Sequence, residues 1–188
     1  MKLVLASASP RRKELLRYIK EDFLVIPSIA EENASGTPEE IVRQLSELKA
    51  RSVFDSFLDK EDVAVLGSDT IVVLDGEIMG KPKDEADAKR MLRALSGRVN
   101  IVYTGVAVVA KDFAESSFVK SDVYFDVLSD EEIDAYIKTG DPMDKAGAYG
   151  LQSIGGKFLV KIEGDWSAVM GLPLNASYRL LKKYGVIE

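Results

Sequence analysis

The sequence predicts an α/β protein built on a mixed, twisted sheet with flanking helices. Apolar strand-like runs alternate with capped helical segments, and several of these runs are joined by tight turns. Alternation of strands and helices favours parallel pairing, whereas a hairpin requires antiparallel pairing. The chain also shows no repeat, low-complexity tract or linker. We therefore expect residues 1–188 to form a single domain.

The first elements alternate in type. "KLVLA" is apolar on both faces and predicts a buried strand. A helix is expected over residues 10–19 with Ser9 as its N-cap, and "DFLVIPSIAEEN" predicts a strand that breaks at Pro27. Thr37 and Glu40 form a capping box for the next helix. The apolar side chains expected on the inner face of that helix are Ile41, Leu45, Leu48 and Val53.

The rest of the chain mixes hairpins with helices. "VAVLGSDTIVVLDGEIMGKP" predicts a strand with a polar interruption at 68–70, then a hairpin that turns at Asp75-Gly76. "DEADAKRMLRALSG" predicts a helix that ends at Gly97. Two β-rich stretches follow, and a capped helix is expected from Ser129 to Gly140. Then come a Gly-rich loop, "DPMDKAGAYGLQ", a strand in "KFLVKIEGDW" and a last helix in "PLNASYRLLKKYG".

The composition allows a normal core but limits the chemistry. Of the 188 residues, 46% are hydrophobic and 30% are charged, which is typical of a globular protein. The absence of Cys and His excludes disulfides, thiolate zinc sites, Cys nucleophiles and His general bases. Acid–base chemistry must therefore use carboxylates, Lys or Tyr, and a bound metal would be a hard ion held by oxygen.

Charge and hydropathy limit the partners and the location. The net charge of −6 disfavours sequence-independent binding to nucleic acid, because such binding needs a broad basic face. No apolar run approaches the roughly 20 residues that span a bilayer, and the N-terminal apolar run is too short for a signal peptide. We expect a cytoplasmic protein with neither a membrane nor a nucleic-acid partner.

Three cations follow the N-cap of the first predicted helix. Arg11, Arg12 and Lys13 lie where the helix dipole is already positive and where acidic residues are preferred. Free N–H groups at a helix start form an anion site. A triphosphate would supply the missing negative charge, with Arg donating paired hydrogen bonds. The alternative is a capped surface helix with solvated charges.

Asp69 interrupts an apolar run, where a buried carboxylate without a partner would be costly. At a strand end that opens into a cleft, it would suit a general base or a metal ligand. An ordinary turn Asp that accepts backbone N–H groups is the alternative. Lys81 in "GKP" could reach a phosphate as a point charge or lie exposed in a turn. Asp144-Lys145 precedes "AGAYG", whose small residues allow close approach of a ligand or simply form a loop.

Five motifs appear in order along nearly the whole chain: "LASASPRRKELL", "GSDTIVVLDGEIMGKP", "LSGR", "DPMDKAGAYGLQ" and "VMGLPL". Together they resemble the Maf family of nucleoside triphosphate pyrophosphatases. The resemblance implies cleavage of a nucleoside triphosphate to the monophosphate and pyrophosphate with a divalent metal, Mg²⁺ or Mn²⁺. It also implies a homodimer and two lobes around a central cleft, as in inosine triphosphate pyrophosphatases.

The resemblance also implies roles for individual residues. Asp69 matches the catalytic aspartate, the proton acceptor that activates water at the α-phosphorus. Glu31 and Asp69 are the expected metal ligands, although Glu32 leaves the register open by one residue. The positions expected to bind substrate are Ser9, Arg11, Arg12, Lys49, Lys81, Asp144 and Lys145.

Substrate choice depends on three further matches. Arg11, Thr70 and Gln152 resemble the branch that acts on dTTP and UTP, with modified pyrimidine nucleotides as further candidates. The branch that acts on 7-methyl-GTP differs at the first two positions. Thr and Gln side chains could both hydrogen-bond the edge of a pyrimidine.

Two other functions are compatible with the same residues. One is a nucleotide-binding regulator of cell division and septum formation that turns nothing over. The other is a purine-directed house-cleaning pyrophosphatase, which would differ only at the base pocket. Asp69 and Lys81 favour an enzyme, because a pure binder has no need for a carboxylate that repels a triphosphate.

Overall fold

The computed structural model describes residues 1–188 and contains seven strands and six α-helices. The strands are β1 (Lys2–Leu5), β2 (Leu24–Val25), β3 (Val63–Leu74), β4 (Glu77–Met79), β5 (Val99–Ala110), β6 (Ala114–Phe125) and β7 (Leu159–Glu163). The helices are α1 (Pro10–Arg17), α2 (Pro38–Phe54), α3 (Glu85–Leu95), α4 (Asp130–Ile137), α5 (Trp166–Met170) and α6 (Leu174–Lys183). No helix is long and apolar enough to cross a membrane.

The strands form one mixed sheet in the order β2-β1-β3-β5-β6-β7, with β4 paired to β3. β1 is parallel to both β2 and β3, whereas the β3–β4 and β6–β7 pairs are antiparallel. The predicted Asp75-Gly76 turn joins β3 to β4, and both residues have positive φ, as a type I′ turn requires. The prediction of a mixed α/β sheet is confirmed.

Backbone contacts divide the chain into two compact units. Unit 1 comprises Met1–Asp69, Thr104–Val119 and Gly171–Glu188. Unit 2 comprises Thr70–Tyr103 and Lys120–Met170. The boundaries fall inside β3, β5 and β6 or directly before a short connection, so no flexible linker marks them.

In unit 1, helix α2 is seated directly on two strands. A Cβ at Gly67 of β3 would lie 2.1 Å from the Ser46 carbonyl oxygen, and one at Gly105 of β5 would lie 2.1 Å from that of Val42. These glycines let the helix backbone contact the sheet. The residues of α2 that become buried are Val42, Leu45, Ser46, Ala50, Val53 and Phe54.

This close contact explains why the predicted inner face of α2 was partly wrong. Leu45 and Val53 are buried as expected, but Ile41 and Leu48 are only half-buried. The small residues Ser46 and Ala50 contact Gly67 instead, and the Val42 backbone contacts Gly105. The spacing of large apolar side chains does not indicate a helix face that packs through small residues.

In unit 2, α3 and α4 pack on a core that includes residues of β3, β5 and β6. Asp84 caps α3 by accepting from the Asp87 amide, and Ser129 forms the predicted cap of α4, a reciprocal capping box with Glu132. The buried residues of α3 are Ala88, Met91, Leu92 and Leu95.

Several predicted boundaries were wrong for local reasons. α1 ends at Arg17 because the amides of Tyr18 and Ile19 bond to carbonyls three residues back, which tightens the last turn. The strand predicted near Pro27 shortens to the exposed edge strand β2, since Pro cannot donate to a ladder. The predicted Gly-rich loop contains 3-10 turns at Asp141–Asp144 and Ala146–Ala148.

Candidate active site

Asp69 lies inside β3, and its side chain is only 8% exposed. The predicted polar interruption at 68–70 was therefore wrong, since the strand runs through it from Val63 to Leu74. Lys49 Nζ lies 2.5 Å from Asp69 Oδ1, and the Lys49 side chain is 13% exposed. A buried carboxylate needs such a partner. The ammonium group thus explains how a charged residue fits in the middle of a buried strand.

The contact between α2 and β3 brings Lys49 to Asp69. Gly67 precedes Asp69 by two residues on β3, and a Cβ there would lie 2.8 Å from the Ala50 amide nitrogen. Ala50 directly follows Lys49 on the helix. Because the helix backbone contacts the strand at this point, the Lys49 side chain is close enough to form an ion pair with the Asp69 carboxylate. The geometry of the pair therefore depends on a glycine.

Glu32 is the acid that joins this ion pair. Its Oε1 lies 2.9 Å from Lys49 Nζ, and its side chain is 54% exposed. Lys49 therefore bridges a buried carboxylate and an exposed one. The sequence leaves open whether Glu31 or Glu32 is the acid of the site. In the structure, Glu32 is the one that contacts Lys49. The role of Glu31 as a metal ligand stays a prediction.

Arg12 is fixed by contacts from two other segments of unit 1. Its Nε donates to the Gly171 carbonyl oxygen at 2.8 Å, and its Nη1 donates to Ser7 Oγ at 3.4 Å. Ser9 caps α1 as predicted, because its Oγ accepts from the Arg12 amide. Burial lowers the pKa of the Arg12 guanidinium, while Asp69 opposes this effect. An arginine stays charged under such conditions.

Gly171 and Ser68 are structural residues that sequence reasoning missed. The Gly171 carbonyl oxygen accepts from Arg12 and also from Ser68 Oγ at 2.8 Å. Ser68 is fully buried, and its Oγ also lies 2.7 Å from the Gly105 carbonyl oxygen. Gly171 belongs to "VMGLPL", a motif whose role the sequence does not suggest. Its φ of +114° is a conformation that favours glycine.

The remaining predicted residues of unit 1 lie at the start of α1. Arg11 is half-buried, and its charge helps to lower the pKa of Arg12. Lys13, the third cation of the run, is exposed. Ser9, Arg12, Lys49 and Asp69 therefore belong to one compact unit, with the positive charges of Arg12 and Lys49 compensating the buried carboxylate.

The predicted residues of unit 2 have different surroundings. Lys81 is exposed and follows Gly80, whose carbonyl oxygen accepts from the Gly147 amide at 3.0 Å. Lys145 is buried and ion-paired with Asp141 and Asp144. Thr70 is half-buried, and Gln152 is exposed in a turn.

A divalent cation would find oxygen donors in unit 1. The chain forms no cluster of three or more Asp, Glu, His or Cys side chains that could hold a metal by itself. Asp69 and Glu32, however, present two carboxylates around a single ammonium group. Mg²⁺ is commonly held by one or two carboxylates together with substrate phosphates. The donor set therefore fits a metal that arrives with a phosphate ligand.

Two solved structures define the class of fold. The Ham1 protein of Staphylococcus aureus has a TM-score of 0.54 at 17% identity and covers 98% of this chain and 100% of its own. A nucleoside-triphosphatase, dITP/XTP pyrophosphatase, from Mycobacterium abscessus has a TM-score of 0.50 at 14% identity, over 99% of this chain and 95% of its own. The predicted likeness to this class of α/β fold is confirmed.

The family follows from the sequence relatives. The family model described as Maf-like protein matches residues 2–184, and the chain belongs to this family. The dTTP/UTP pyrophosphatase of Shewanella oneidensis is 50% identical over the full length of both proteins. Those of Thermococcus gammatolerans and Vibrio cholerae are 48% and 46% identical, over 95% and 97% of this chain and 94% and 98% of their own. The resemblance stated from five motifs is confirmed.

Proposed function

We propose that this protein hydrolyses nucleoside triphosphates, preferably dTTP and UTP, to the monophosphate and pyrophosphate. The observation that carries the proposal is the buried Asp69–Lys49 pair, which lies in the same compact unit as the cationic start of α1. Support for the substrates comes from relatives at 46–50% identity that are named dTTP/UTP pyrophosphatases. The chain offers a carboxylate base and positive charge, and this reaction needs both.

Asp69 acts as the proton acceptor in this proposal. It takes a proton from the water that attacks the α-phosphorus, while Lys49 holds the carboxylate in place. Negative charge then develops on the bridging oxygen of the pyrophosphate leaving group. Ser9, Arg11 and Arg12 at the start of α1 stabilise the phosphate charge through hydrogen bonds and the helix dipole.

The proposal includes a divalent cation, Mg²⁺ or Mn²⁺, which would add positive charge to the site. Asp69 and an acid at position 31 or 32 would hold it, and it would supply positive charge to the phosphate oxygens. The contact between Glu32 and Lys49 favours Glu32 as that acid. Glu32 is also the more exposed of the two carboxylates that Lys49 bridges, and thus the one open to exchange.

The residues of unit 2 take part in substrate binding and selection. Lys81 is exposed and free of the ion pairs that occupy Lys49 and Lys145, which suits a point charge for a phosphate. Asp144 lies in the same motif as Lys145 and belongs to the proposed substrate-binding set. Thr70 and Gln152, with Arg11 in unit 1, select the pyrimidine through hydrogen bonds. A homodimer and a cytoplasmic location stay predictions from the sequence.

The proposal is tested by pyrophosphate release from a panel of nucleoside triphosphates with Mg²⁺ or Mn²⁺, run in ¹⁸O-labelled water. We expect dTTP and UTP to be preferred over GTP and ITP. The label should appear in the monophosphate, since water attacks the α-phosphorus. Label in pyrophosphate would contradict the proposed site of attack, and a preference for ITP would favour the purine-directed enzyme. Binding without turnover of any nucleotide would favour the regulator of cell division.

A further inference from the structure

The ammonium group of Lys145 is buried, and its three donors are matched by three acceptors. Nζ lies 2.5 Å from the Asp141 carbonyl oxygen, 3.1 Å from Asp141 Oδ1 and 2.6 Å from Asp144 Oδ1. The side chain is 8% exposed. Because an ammonium has three donors and no acceptor, these contacts use all of its hydrogen-bonding capacity. The geometry thus ties Lys145 to its own segment and leaves no donor for a phosphate.

Asp141 links Lys145 to helix α4. The Tyr136 hydroxyl donates to Asp141 Oδ2 at 2.7 Å, while Lys145 contacts the other carboxylate oxygen. Burial raises the pKa of Asp141, but hydrogen bonds from Ser153, Tyr136 and Lys145 outweigh this effect and keep the pKa below its ordinary value. The carboxylate therefore stays charged at neutral pH. We call Tyr136, Asp141, Lys145 and Ser153 the loop brace.

The turn that carries Gln152 is attached to the loop brace at both ends. A Cβ at Gly150 would lie 2.8 Å from Cδ and Cε of Lys145, so the backbone of the turn lies directly against that side chain. At the other end, Ser153 Oγ, whose single O–H is shared with Asp141, lies 3.0 Å from the Gly150 carbonyl oxygen. Gln152 lies between these two points and is exposed. The loop brace thus holds the backbone on both sides of Gln152, whose side-chain amide is exposed.

We propose that the loop brace positions Gln152 for recognition of the nucleotide base, and that Lys145 is a positioning residue instead of a phosphate ligand. The inference rests on the proposed function, in which Gln152 helps to select a pyrimidine. A backbone that is held on both sides of Gln152 limits where its side-chain amide can lie, so less ordering is required when the base binds. A phosphate ligand would act differently, since the triphosphate is common to every nucleotide.

The test compares Lys145→Met and Gln152→Ala, alone and combined, by kcat/KM for dTTP and for GTP. We expect each single variant to lower the dTTP-to-GTP ratio by roughly tenfold, the worth of one good hydrogen bond. The double variant should lower it no further, because both changes remove the same interaction. If Lys145 bound phosphate, Lys145→Met would reduce both substrates equally and leave the ratio unchanged. That result would overturn the proposal.

Two further measurements guard against loss of folding and against failure of the proposed function. Tyr136→Phe removes one hydroxyl from the brace without leaving a buried charge, and it should lower the ratio in the same direction. Lys157→Met is the matched control, because Lys157 lies in the same segment but is exposed and outside the brace.

Equilibrium binding of non-hydrolysable dTTP and GTP analogues gives the same ratio without turnover. Wild-type protein that prefers the dTTP analogue but hydrolyses nothing would refute the proposed function and leave the brace supported, provided that Lys145→Met removes the preference. An unchanged binding ratio in both Lys145→Met and Tyr136→Phe would refute the brace whatever the activity.

Discussion

At the scale of single residues, Lys49 is central to the candidate site because it forms ion pairs with two carboxylates, those of Asp69 and Glu32. It joins a carboxylate that is nearly buried to one that is half-exposed, and its own side chain is 13% exposed. An ion pair in such surroundings contributes little net stability, but loss of one partner leaves the other charge without compensation. Lys49 is therefore expected to affect both catalysis and the stability of unit 1.

Lys49→Met is expected to destabilise the protein by about 3–5 kcal/mol, because it leaves the Asp69 carboxylate buried without its hydrogen-bonded ion-pair partner. The measurement is the free energy of unfolding in urea. Lys49→Met combined with Asp69→Asn should recover much of that loss, since the charge is then removed from both partners. Lys60→Met serves as the control, because its ion pair with Asp55 is exposed and worth at most about 1 kcal/mol. A loss as small as that of the control would contradict the assigned role of Lys49.

At the scale of elements, the contact between α2 and β3 sets the geometry of the site. Two glycines, Gly67 and Gly105, let the helix backbone touch two strands. Because of this contact, the smaller residues Ser46 and Ala50 are buried on the inner face of α2, while Ile41 and Leu48 are only half-buried. A helix held off by one side chain would carry Lys49 away from Asp69. The contact at Gly67 therefore determines both how α2 packs on the sheet and where Lys49 lies relative to Asp69.

Gly67→Ala is expected to displace α2, because the new Cβ would lie 2.1 Å from the Ser46 carbonyl oxygen. Overpacking of this kind costs about 1–3 kcal/mol of unfolding free energy, and a misplacement near 1 Å can cost about 10²-fold in rate. Thermal unfolding and pyrophosphate release measure the two effects. Gly80→Ala is the matched control for stability, because no atom lies within 4 Å of its added Cβ. Equal stability of the two variants would show that α2 is not seated on Gly67.

At the scale of the whole molecule, the sequence predicted those features that depend on local interactions. Caps at Ser9, Thr37 and Ser129 and the turn at Asp75-Gly76 were predicted correctly, because each is decided by side chains a few residues apart. The fold class followed from the alternation of these elements, and the family from the order of five motifs.

Features that depend on distant contacts were missed or misjudged. The Asp69–Lys49 pair joins residues 20 positions apart on different elements, and Arg12 is held by a backbone oxygen of Gly171, 159 positions away. Neither contact has a signature in the local pattern. The sequence marks Asp69 as unusual because a carboxylate in an apolar run is costly, but the partner that compensates its charge is visible only in three dimensions.

Asp69→Asn tests the proposal that Asp69 is the proton acceptor. Asn keeps the size of the side chain but removes the basic carboxylate, so the rate of pyrophosphate release from dTTP should fall by about 10²–10⁴-fold. Binding of a non-hydrolysable dTTP analogue should persist. Asp22→Asn, at an exposed position of the same unit, should leave the rate unchanged. A wild-type rate in Asp69→Asn would show that Asp69 is not the proton acceptor.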